Sequence, residues 1–178
     1  MKKTTTPTTG RRAGQALVEF ALVLPVMIVL FVGSLEASLL MFSRSSAEYV
    51  AGDAARVASQ AGNALNADDL SVQTVRDSSL GHTRLARVNE VDIYRLLQDP
   101  LTGAITVDSA HVNQYRLDGS VIGSVNWPPA SRDVTSTSAD LLGITIDYTF
   151  PWQTGLFGAI PSPRLRAIYY LQLEPQVY

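Results

Sequence analysis

One run of residues limits what this chain can become. From Ala16 to Leu35 almost every residue is apolar, and the 16 residues between Glu19 and Glu36 carry no charge. A membrane-spanning helix needs about 20 mostly apolar residues, and Ala16–Leu35 supplies them if Glu19 is tolerated. A carboxylate at membrane depth costs about 2.5–3.5 kcal/mol on insertion scales and is by default a functional residue. Glu19 therefore either sits among headgroups near Arg11 and Arg12 or meets a cation inside the membrane.

Charge divides the chain at the same place. Both lysines, Lys2 and Lys3, precede the apolar run, as do Arg11 and Arg12. The first 14 residues carry four positive charges, so a chain with a net charge of −2 leaves −6 for the remainder. Lys and Arg beside a span stay on the cytoplasmic side, which predicts a basic end inside and an acidic body exported. An acidic body argues against binding a phosphate backbone, so no nucleic-acid partner is expected. There is no cysteine, which excludes disulfides, thiol catalysis and Cys-ligated metals.

Residues 1–14, rich in Thr with Pro7 and Gly10, read as a helix-poor leader. The apolar run is longer than the core of an ordinary secretory signal, and no clean small-residue cleavage motif closes it. Residues 15–62 read as one long helix stopped at Gly62–Asn63. Its first half is apolar all round. In its second half Ala47, Val50, Ala51, Ala54, Val57, Ala58 and Ala61 share one side, opposite Arg44, Glu48, Tyr49, Asp53, Arg56 and Gln60. So narrow an alanine side permits close approach to a sheet or another helix. Pro25 marks a kink or a hinge in the apolar half.

Beyond Gly62 the pattern changes. Asp68–Asp69 caps a brief helix over 70–80, broken at Gly81–His82–Thr83. A period of two then begins, predicting strands over 88–97 and 104–108 around the turn Asp99–Pro100–Leu101–Thr102–Gly103. Asp118–Gly119 offers a second hairpin turn. Residues 126–138 read as loop, with Trp127 either a contact surface or a plug over the sheet. The strongest alternation lies at Ile144, Ile146, Tyr148, Phe150 and at Leu165, Ala167, Tyr169, Leu171, Leu173. Each of these strands has one apolar face, as in an antiparallel sheet with one side on a core. Their link, residues 151–158, is aromatic and rich in Pro and Gly, and is either folded onto the domain or offered to a neighbour. The fold expected is α+β: a long N-terminal transmembrane and amphipathic helix (15–62) packed on a small antiparallel domain (63–178).

No catalytic constellation stands out. His82 and His111 lack metal-ligand spacing, and no zinc-protease helix motif, phosphate loop or nucleophile elbow is present. No enzyme, no cofactor and no metal are expected. Attention returns to Glu19. A cut after Gly14 would place a new α-amino cation on Gln15, one helical turn from the Glu19 carboxylate.

The string Gly14-Gln15-Ala16-Leu17-Val18-Glu19-Phe20, behind a basic leader and ahead of an apolar helix, resembles a class III prepilin peptidase site. Its continuation through Pro25 and Val26, the stretch Ala51-Gly52-Asp53-Ala54-Ala55-Arg56-Val57-Ala58 and a late strand ending near Glu174–Pro175 are similar to the TadE/TadG-like minor pilins (pseudopilins) of the tight-adherence (Tad, or Flp) type IV pilus. The resemblance implies a pilin-like fold and a single-pass protein of the bacterial inner membrane, with its N-terminus inside and its C-terminal domain outside. It implies processing between Gly14 and Gln15 by prepilin peptidase, with Glu19 and Phe20 in the assembly determinant. Glu19 would meet a neighbouring N-terminus. The partners implied are the peptidase, other pilins and pseudopilins, the inner-membrane assembly platform and the lipid bilayer. The end state is a pilus or surface structure with a part in adhesion. Two other readings stand beside it: an uncleaved single-pass anchor holding an extracytoplasmic binding domain, and a secreted soluble domain behind an ordinary signal peptide.

Overall fold

The computed structural model describes the backbone of residues 9–175 and the side chains from Gly14 to residue 175. Residues 1–8 of the expected leader lie outside the described residues. The elements run α1 (Thr9–Ala61), α2 (Ala67–Asp77), α3 (Ser79–His82), β1 (Arg87–Gln98), β2 (Ile105–Tyr115), β3 (Leu141–Thr149) and β4 (Arg164–Gln172), with short 3-10 turns at Pro129–Ser131 and Gly155–Phe157. The four strands form one antiparallel sheet in the order β2-β1-β3-β4. This is the α+β arrangement that the patterning predicts.

Helix α1 spans 53 residues, about 80 Å at 1.5 Å per residue. It begins at Thr9, so residues 9–14 are helical where the leader was expected to be helix-poor. Once a helix is nucleated downstream, each added residue gains a hydrogen bond, and Arg11, Arg12 and Ala13 are strong helix formers. Pro25 lies inside the helix without interrupting it. At the far end Gly62 takes a positive φ of 56° and its N–H bonds the Ala58 carbonyl at 2.9 Å. That left-handed stop suits a residue without a β-carbon.

The two halves of α1 meet different surroundings. Leu17 through Phe31 project their large side chains into open space. From Ala47 onward the helix is core: Ala47, Val50, Ala51, Ala54, Ala55 and Ala58 are buried. The buried arc is wider than a single stripe because α1 is gripped on two sides, by α2 and by β3 and β4. The small residues permit this. The Tyr169 ring of β4 rests against Gly52, 3.4 Å from where a β-carbon would stand. Ser59 donates to the Gln172 carbonyl at 2.9 Å, and the Glu174 N–H reaches the Ser59 carbonyl at 3.2 Å. Opposite α1 the sheet contributes Ile144, Ile146, Tyr148 and Ala167, all buried.

The brief helix starts three residues earlier than its apolar pattern, at Ala67 behind Asn66. Asp68 is not a cap. It is buried, and it accepts hydrogen bonds from Asn113 Nδ2 (2.9 Å), Tyr115 Oη (2.8 Å) and the Arg132 guanidinium. Burial and the adjacent Asp68 carboxylate push the Tyr115 hydroxyl pKa up, keeping it a donor. Arg132 lies over the Trp127 ring, 4.5 Å from its centroid, and Trp127 is 1% exposed. Trp127 is therefore core and not a contact surface. Asn113 clamps its backbone, accepting from the Trp127 N–H at 2.8 Å and donating to its carbonyl at 2.7 Å.

The Asp99–Gly103 turn forms as expected, with Asp99 Oδ1 accepting from the Leu101 and Thr102 N–H groups. Strand β2 is longer than predicted because Asp108–His111 bulge out opposite Arg95 and pairing resumes at Val112. The Asp118–Gly119 turn closes only an isolated bridge between Tyr115 and Val121. On the outer sheet face Tyr94 lies over Gly143, where a β-carbon would stand 2.3 Å from the ring. Replacing Asp68 by Ala strands the Arg132 charge in the core. Loss of one partner of a buried pair costs about 3–5 kcal/mol, and denaturant unfolding of the detergent-solubilised chain, followed by tryptophan emission, is expected to show a loss of that size.

Candidate functional site

The residues that the sequence singles out, Gly14, Gln15, Glu19 and Phe20, all lie on the projecting half of α1. Among the described residues nothing beyond the helix's own backbone stands within 4 Å of the position a β-carbon on Gly14 would take. Gln15 and Glu19 are four apart, hence on one helix face, and Gln15 Nε2 donates to Glu19 Oε1 at 3.1 Å. Both side chains are exposed, as are Leu17, Val18 and Phe20. The structure thus brings Gln15 and Glu19 into contact and leaves Phe20 and Pro25 on the open apolar surface. The apolar window of this helix has a mean hydropathy of 2.6, and none of it is buried by the domain. It is long and apolar enough to cross a membrane. Ser34 and Ser38 turn their hydroxyls back onto the carbonyls of Phe31 and Ser34, both at 2.8 Å, so neither leaves an open donor beside lipid.

At the other end of the apolar run stands a second carboxylate. Glu36 is 1% exposed. Its Oε1 accepts from the Gln153 N–H at 2.5 Å and its Oε2 from the Thr154 N–H at 3.3 Å. These donors belong to the β3–β4 link. Gln153 Nε2 then bonds the carbonyls of Arg84 and Pro151, tying the link to the segment before β1. Trp152 packs edge-on against Phe150 with centroids 5.9 Å apart, and against Phe157 at 5.3 Å. The Phe157 ring edge sits beside Gly33. The aromatic link is therefore docked on the helix of its own chain. Sequence reading took Glu36 only as the boundary of the apolar run, because its partners are backbone amides more than a hundred residues away.

Elsewhere the ionisable groups pair among themselves. Asp108 is held below the usual carboxylate range, chiefly by its hydrogen bond from Arg95, and it also meets His111 Nδ1 at 2.8 Å. Burial would raise the pKa of Asp147, but hydrogen bonds from Arg164, Asn89 and Arg166 outweigh it and hold the carboxyl low. Among the described residues no group of three or more His, Asp or Glu is placed to hold a metal.

Residues 14–56 match the family model of TadE-like proteins. Most of α1 is thus similar to that family. The match suggests a protein associated with the Tad pilus, of a structural family. It begins at Gly14 and ends within α1, so the TadE-like segment holds both Glu19 and Glu36, and the sheet lies outside it. No curated protein and no solved structure matches the chain. Glu36→Ala removes both acceptors from the docked link. Charged-group hydrogen bonds contribute about 1.5–3 kcal/mol, and limited proteolysis is expected to cut the variant between Pro151 and Gly158 faster than the parent.

Proposed function

We propose that the protein is a minor pilin, or pseudopilin, of a Tad (Flp) pilus. Its precursor inserts in the inner membrane with the basic leader inside and the sheet domain outside. Prepilin peptidase cuts between Gly14 and Gln15. The apolar half of α1 then packs with other pilins at the assembly platform, displaying the outer domain for surface adhesion.

The observation that carries this reading is the arrangement of α1: a bare apolar rod whose exposed carboxylate, Glu19, lies a single turn beyond Gln15, all within the TadE-like segment. In the uncut chain the neutral Gln15 amide donates to Glu19. Cleavage would turn residue 15 into a cationic N-terminus, α-amino pKa about 7.7–8.0. The Glu19 carboxylate would then have a charged partner in its own chain or in a neighbour, offsetting the cost of carrying it into lipid. Phe20 adds an apolar contact beside it.

One observation favours the second reading, an uncleaved anchor. The helix runs unbroken through the Gly14–Gln15 bond, so that bond must unwind to enter an active site. Co-expression with the peptidase followed by N-terminal sequencing separates the two. A mature chain beginning at Gln15 is expected, and a chain still beginning at Met1 overturns the processing. Glu19→Ala is expected to be processed normally but to be lost from sheared surface fibres. Normal incorporation would remove the assembly role from Glu19.

A further inference from the structure

The β3–β4 link has the composition and the position of a membrane-surface contact. From Phe150 to Pro163 it carries no charge. It docks on Gly33 and Glu36, the last turn of the apolar run. Counting from Ala16, that turn lies about 30 Å along the helix, the thickness of the bilayer hydrocarbon. Part of the polar backbone of the link is engaged: the Gln153 and Thr154 N–H groups donate to Glu36 on the helix, and within the link Gly158 donates to the Gly155 carbonyl and Ile160 to that of Phe157. The Trp152 indole N–H is engaged by the carbonyls of Ile160 and Pro161. Leu156 and Ile160 nevertheless remain 47% and 52% exposed. A segment that carries no charge, engages the N–H groups of Gln153, Thr154, Gly158 and Ile160 and turns aliphatic side chains outward is suited to the boundary of a weakly polar medium. Trp beside the end of a spanning helix has the same preference.

We infer that residues 151–161 form an interfacial foot, which seats Leu156 and Ile160 in the outer headgroup–acyl boundary of the bilayer that α1 crosses. A spanning helix alone is free to tilt and rotate about its axis. A second apolar contact to one side, clamped through Glu36, fixes both and sets the depth of the domain. The occupant is lipid because the patch continues the lipid-facing surface of α1 at the same height. This inference rests on the single-pass reading of α1, and not on cleavage or pilus assembly.

The absence of cysteine makes the test direct. Single cysteines at Leu156, Ile160, Leu24 and Leu101 carry an environment-sensitive NBD label, one per chain, in the full-length protein. The protein is reconstituted at low density in phosphatidylcholine–phosphatidylglycerol vesicles with a nitroxide near the glycerol or the methyl end of the acyl chain. Leu101, 94% exposed on the β1–β2 turn, is the aqueous reference. Labels at 156 and 160 are expected to shift to the blue and lose emission to the shallow nitroxide, while the label at 24 loses it to the deep one. Leu156→Asp is expected to relieve quenching at 160 and leave 24 unchanged. Quenching at 24 with 156 and 160 behaving like 101 overturns the foot alone. Blue-shifted emission at 156 that no lipid nitroxide quenches assigns the patch to a neighbouring subunit and also overturns it. Loss of quenching at 24 and 156 together overturns the span and the foot with it.

Discussion

Everything in this molecule depends on one unbroken ladder of helical hydrogen bonds serving two solvents. Over its first half α1 satisfies its own backbone and turns apolar side chains outward, the condition for crossing lipid. Over its second half the same ladder turns alanines, Gly52 and serines inward, so that a sheet and a second helix can come within van der Waals reach. Because the helix does not break between the halves, the sheet domain is held rigidly to the apolar rod. The two carboxylates of the rod mark its limits. Glu19 stands on the open side, bonded by the Gln15 amide. Glu36 is consumed by the domain.

Much of this could be read from the residues. The apolar run, the alanine face, the Gly62 stop and the alternation in β3 and β4 depend on local chemistry with a fixed period, which a single chain displays. The Asp99 turn is equally local. Residues whose role is set by partners distant in sequence were not legible. Asp68 resembles a helix cap until Asn113, Tyr115 and Arg132 are brought to it. Trp127, beside two prolines, reads equally as a contact surface or as a plug over the sheet until its burial under Arg132 selects the second. The bulge at Asp108–His111 hides the second half of β2, because four residues opposite one destroy the period of two. The start of α1 was misplaced for a related reason: propensity describes residues 9–14 in isolation, whereas a helix already nucleated extends through them.

The TadE-like match and the physical reading converge on the same part of the molecule. The match ends inside α1, and the apolar run with Glu19 and Glu36 lies there too. The sheet domain is stabilised by interactions of its own, the Asp68–Arg132 pair within and the Asp147 cluster on the outer face. Neither touches the projecting rod, so the outer surface is open to change without disturbing the helix.

The contact between Ser59 and the end of β4 has a consequence for timing. Gln172 is 113 residues beyond Ser59 in sequence, and β4 supplies much of the surface against which α1 is buried. Contacts so distant in sequence form late and slow a fold. During synthesis from the N-terminus α2 can cover one side of the alanine face soon after α1 has emerged, whereas the side that meets the sheet waits for β3 and β4. Until those strands arrive, that side of the helix is without the surface that buries it in the folded chain.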